Sequence, residues 1–195
     1  MKKKLLIILT LVLLLVVAVQ PAAAKQILGY TGTNGNDNFT GKSKGETIRG
    51  LGGNDILNGE GGADTISGGD GSDRIDGGSG ADVLSGGNGR DFLDGGSGND
   101  RISGGNGIDL IDGESGNDTI TGGDGKDRIR GGSGNDWLYG NGGNDTLMGN
   151  DGNDRLWGGE GTDIVNGGSG YDICYVGTTE TKVFECEVIY RFANQ

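Results

Sequence analysis

Acidic side chains recur every nine residues along most of this chain. Asp37, Asp55, Asp73, Asp91, Asp109, Asp127, Asp145 and Asp163 form one series of eighteen-residue steps. Glu46, Asp64, Asp82, Asp100, Asp118, Asp136, Asp154 and Asp172 form the other. Each Asp closes a glycine-rich loop, as in GGSGAD (Gly77–Asp82) and GGNGRD (Gly86–Asp91). Glycine leaves main-chain carbonyls uncovered, so such a loop offers a carboxylate and bare carbonyl oxygens together. These are hard oxygen donors, suited to calcium in six- to eight-fold coordination, whereas magnesium demands tighter octahedral geometry. The chain has no His, and its two Cys lie outside the loops, which disfavours zinc and copper. The carbonyl candidates include those of Gly69, Gly71, Gly78, Gly80, Gly87, Gly89, Gly96, Gly98, Gly105, Gly107, Gly123, Gly125, Gly132 and Gly134.

The element that must position these donors is a nonapeptide, Gly-Gly-x-Gly-x-Asp-x-apolar-x, running from Gly32 to Tyr175 in sixteen copies. Position one is always Gly, and position eight is always apolar, from Phe39, Ile48 and Leu57 to Val165 and Cys174. Glycines at positions one, two and four are expected in left-handed turns. Residues such as Arg74-Ile75-Asp76 alternate polar, apolar, polar, as a short strand with one buried face does. One nonapeptide cannot bury its apolar residue alone, so units must stack. The spacing predicts an all-β fold, a parallel β-roll: a two-sided right-handed solenoid with eighteen residues per turn and about eight turns. At ~4.8 Å between strands it would be roughly 38 Å long.

The repeat resembles the hemolysin-type (RTX) calcium-binding family over Gly32 to Tyr175. That resemblance implies a parallel β-roll with calcium held between successive same-side turns. Eight loops per side would leave up to about fourteen such places, with folding dependent on the ion. The ending Asp172-Ile173-Cys174 followed by Cys186-Glu187 also looks like the tails of small secreted proteins carrying these repeats. The unit Gly41–Arg49 departs most, with Lys42, Lys44 and Glu46 where the pattern has Gly, Gly and Asp. Its site is expected to be weak or empty. Leu51, Glu60, Glu114, Asn141 and Asn150 replace Gly at position two, where altered backbone geometry is expected.

Composition narrows the function classes. The net charge is −12, which argues against a nucleic-acid partner, since phosphate binding needs a basic face. Residues 1–24 read as a secretory signal peptide: Lys2–Lys4, an apolar run from Leu5 to Val19, and cleavage expected after Ala24. Cleavage would remove three Lys, take the charge to −15 and leave no membrane span. Residues 25–31 form a lead-in, 32–175 the roll and 176–195 a C-terminal cap. Cys174 and Cys186 are expected to pair in an oxidising compartment and tie the tail over the open end.

No carboxylate stands apart as a general acid or base, so a structural or binding role is expected rather than catalysis. The Gly41-Lys42-Ser43 triplet lacks the upstream glycine and the helix of a phosphate loop. At position nine, Tyr139, Trp157 and Tyr175 fall on successive turns of one face, with Trp137 nearby. Such a row suits protein contact or sugar-ring stacking, unless the apolar tail folds back and covers it. The alternative function is therefore calcium-dependent adhesion to a cell surface, or binding of a polysaccharide such as a polyuronate.

Overall fold

A computed structural model describes residues 29–177 and 182–192. The expected signal peptide and its cleavage point, most of the lead-in, and parts of the cap lie outside the described residues. Among the described residues the chain forms nineteen short strands and no helix. They make two all-parallel sheets of ten and nine strands, in which each strand hydrogen-bonds to the strand two along the sequence. Register advances by eighteen residues, as in Ile102 beside Ile120 and Ile111 beside Ile129. This is the expected parallel β-roll.

It has about nine turns rather than eight. The extra strands are Gly29–Thr31 before the first unit, and Lys182–Phe184 and Val188–Phe192 after the last. These segments extend both sheets in the same parallel sense.

The core is one side chain thick. Position-eight residues from Ile48 through Ile66, Leu93 and Ile120 to Val165 and Cys174 point between the sheets, at most 2% exposed. Each contributes about 2 kcal/mol by leaving water. Phe39, near the first turn, is only half-buried and stacks on Tyr30 with ring centroids 4.3 Å apart. The residues on either side of position eight face outward, polar in most units but apolar at positions such as Ile56, Val83, Trp137 and Ile164, which is the alternation of faces a half-buried strand requires. The strands thus fix the spacing of the loops, and every loop is held at both ends by a parallel ladder.

Candidate metal centre

The loops run along the two edges where the chain crosses between sheets. Three glycines per loop are needed for two different reasons. Positions two and four have positive φ in every unit from Gly50 onward, for example Gly123 at 119° and Gly125 at 144°. A Cβ there would also run into the carbonyl of the equivalent residue one turn earlier, Gly105 and Gly107 respectively. Position one is not left-handed, contrary to the expectation from sequence. It is glycine because space is lacking: a Cβ on Gly104 would lie 2.5 Å from Asp109 Oδ2 and 2.6 Å from the Gly122 carbonyl oxygen.

Leu51, Glu60, Glu114, Asn141 and Asn150 adopt the left-handed conformation too, with φ between 67° and 86°. The altered geometry expected at these positions is therefore absent. Parallel pairing on both flanks over-determines the turn, and the non-glycine residue accepts the strain.

The carboxylates form two continuous rows. The backbone N–H of each row member donates to Oδ1 of the Asp one turn later, from Asp37 to Asp55 (2.8 Å) through Asp154 to Asp172 (2.8 Å). The carbonyl of the same Asp accepts the position-seven N–H of the next turn, as Asp136 does from Arg155 at 2.9 Å. From Asp55 to Asp172 all fourteen Asp are buried, and the second carboxylate oxygen, Oδ2, has no hydrogen-bond partner. Over the position-one glycines from Gly50 to Gly149 this Oδ2 converges with the position-one carbonyl of the next turn.

Burial raises the carboxyl pKa all along both rows from Asp64 to Asp172. Asp118, Asp145 and Asp154 are pushed up to about 7 by desolvation, with the like charge of neighbouring row members adding to it. Hydrogen bonds from the preceding Asp N–H oppose the shift without cancelling it. A buried, unpartnered anionic oxygen is costly unless a cation meets it.

The donor set fits calcium. It consists of oxygen alone, from carboxylates and carbonyls, with no sulfur or imidazole in the loops. Among the described residues no three His, Cys, Asp or Glu side chains converge. An ion here would take one or two carboxylates and complete its shell from main-chain carbonyls of the glycine arcs.

The first two units differ. Neither has a left-handed residue at position two or four. Asp37 Oδ2 instead accepts the Thr33 N–H (2.6 Å) and hydroxyl (3.1 Å), and those bonds hold its carboxyl below the usual range against some desolvation. Glu46 Oε2 accepts the Lys42 N–H at 2.9 Å. Asp37 and Glu46 belong to the rows, but their carboxylates are already partnered. The sequence reading sets Glu46 apart as weak but groups Asp37 with the other candidate ligands; the signal for its difference is Thr33 at position two, whose hydroxyl and N–H both reach the acid.

The aromatic side chains stack on one another. Tyr139 and Trp157 lie 4.6 Å apart at 9°, Trp157 and Tyr175 4.6 Å apart at 2°. The described part of the tail extends the row rather than folding back over it: Tyr190 continues the column, 5.0 Å from Tyr175. Trp137 tilts against Trp157, and the Arg155 guanidinium sits 5.2 Å from its ring centre. Within the column the ring faces are used against each other, which leaves edges for solvent. Cys174 and Cys186 form the expected disulfide, with Cα atoms 6.1 Å apart.

Comparison with protein families matches the RTX calcium-binding nonapeptide repeat to residues 31–66, 40–75, 67–102, 103–138 and 139–174. No curated protein matches the chain.

Proposed function

Because the chain belongs to the RTX calcium-binding nonapeptide repeat family, we propose that it is an exported calcium-binding protein whose roll forms when the ion arrives. Its role on this reading is structural rather than catalytic. One observation carries it. The fourteen units whose loops are left-handed at positions two and four are the fourteen whose Asp Oδ2 is buried without a partner. The two units lacking that loop conformation satisfy their carboxylates internally.

Calcium supplies a double positive charge and room for six to eight oxygens. Asp55 to Asp172 and the adjoining loop carbonyls are the residues that would hold it. Without it, same-side carboxylates about 4.8 Å apart repel one another in a poorly solvated edge.

Export is supported by the composition of residues 1–24 and by the Cys174–Cys186 bridge, which suits an oxidising compartment. The mutual stacking of Tyr139, Trp157 and Tyr175 favours a stiffening role for that column over sugar-ring recognition. Far-ultraviolet circular dichroism of the mature chain tests the reading. Chelator is expected to abolish the β signal and excess calcium to restore it cooperatively. A spectrum identical in both conditions would overturn it.

A further inference from the structure

Beyond the residues matched by the repeat model, the tail builds one more loop in shortened form. Val188 lies beside Ile173 and Ile189 beside Cys174, which places Glu187 at position six. The step from Asp172 to Glu187 is 15 residues rather than 18. Glu187 Oε2 accepts the Asp172 N–H at 2.6 Å, the same relation that Asp172 Oδ1 bears to Asp154. Upstream, from Gly50 to Gly149, each position-one glycine is faced by the position-one carbonyl of the next turn; Gly167 is faced by the carbonyl of Glu185. Glu185 also has positive φ, 49°, as upstream loops do on approaching their acid. The three missing residues are taken from the glycine arc, while the carbonyl and carboxylate that bracket it are kept.

Asp172 is fully buried, and its Oδ2 has no partner. That oxygen and the Glu185 carbonyl converge over Gly167. Burial raises the Asp172 carboxyl, against the Asp154 hydrogen bond, and the charges of Glu187 and Glu185 add to the rise. Cys186 sits between the two glutamates and is bonded to buried Cys174, so the loop is tied to the core.

We propose that this tail loop forms a terminal calcium site of its own, built from Asp172 Oδ2, the Glu185 carbonyl and the Glu187 carboxylate. The proposal rests on the reading that the roll binds calcium. Shortening removes glycine carbonyls from the donor set, and Glu187 keeps the second carboxylate in register. The disulfide ties these donors to Cys174 in the core.

Native mass spectrometry of the mature, disulfide-bonded protein in calcium counts bound ions as integers. Glu187→Gln keeps an oxygen for the Asp172 N–H but loses the charge, and is expected to bind one ion fewer than the unmodified chain. Its circular dichroism in calcium should be unchanged. Cys186→Ala, which frees the loop and leaves every repeat intact, is expected to lose the same ion. Equal counts in both variants and the unmodified protein would overturn the terminal site. An unmodified protein that binds no calcium would instead overturn the broader reading.

Discussion

The backbone N–H of Asp118 donates to Asp136 Oδ1 at 2.8 Å, while Oδ2 of each of these residues is buried without a partner. One oxygen of each row carboxylate from Asp55 to Asp172 is thus spent on building the roll, and the other is left unpartnered, for a cation on the proposed reading. Structure and binding draw on the same side chain, so stability should respond sharply to anything that changes its charge.

Protons are the first such agent. The row carboxyls ionise near 3.8 when unfolded, whereas Asp82, Asp91, Asp127 and Asp136 rise to about 6 in the roll, and Asp118, Asp145 and Asp154 to about 7. The metal-free roll therefore binds more protons than the unfolded chain in this window. Its stability is greatest below about pH 4 and falls as pH rises to about 7. Circular dichroism in chelator should show β structure at acid pH that melts towards neutrality. Calcium should remove this dependence and release protons as it binds near pH 6.

Neutralising one carboxylate should have opposite effects with and without calcium. Asp118→Asn keeps the acceptor for the Asp100 N–H. It also places an amide donor where Oδ2 converges with the Gly131 carbonyl. In chelator the variant should hold its β structure to a higher pH than the parent, because an oxygen that must ionise while buried is replaced by an amide that hydrogen-bonds. In calcium it should be less stable than the parent. Circular dichroism against pH in chelator and urea melts in calcium check both signs.

Relieving backbone strain gives a third expectation. Leu51 holds φ at 86° and exposes nearly half its side chain. A left-handed non-glycine residue costs about 1–2 kcal/mol. Leu51→Gly should raise the stability of the calcium-loaded roll by about 1 kcal/mol after the added chain entropy of glycine is subtracted. Thermal melting in saturating calcium reads the change.

The aromatic column gives a fourth. Trp157 stacks on both Tyr139 and Tyr175, and each such pair is worth about 0.5–1.5 kcal/mol. Trp157→Ser should lower stability by about 2 kcal/mol. If the column is a stiffener, calcium-dependent retention on alginate should be the same for both proteins. Retention lost with the substitution would show instead that the rings serve a ligand.

What could be read from sequence was whatever repeats strictly. An acid and an aliphatic residue two apart, recurring every nine, determine the strand register, the single-file core and the two carboxylate rows. Asp118 and Ile120 need no further information to be placed. Local hydrogen bonding was not legible in the same way. Whether Asp37 is free or partnered depends on Thr33 and on a loop that never turns left-handed, and the repeat pattern records neither.

The shortened loop inside the expected C-terminal cap was not legible for a related reason. It is three residues short and carries Glu where the pattern has Asp, so the period is lost just where the register is kept. The remaining signal was Glu187-Val188-Ile189, the same acid-x-apolar order as Asp172-Ile173-Cys174. Tyr190 belongs to the aromatic column because of that shortened step, and no eighteen-residue count reaches it.

The alternation of strands between two sheets gives the molecule a parity. Loss or duplication of eighteen residues anywhere in the regular portion would return every downstream side chain to its own sheet, altering only the length. Loss of nine would exchange the sheets: the column ending in Tyr175 and Tyr190 would continue upstream into the residues that now precede it on the opposite wall. Gene-level insertions of one unit are therefore changes of surface, and insertions of two are changes of size.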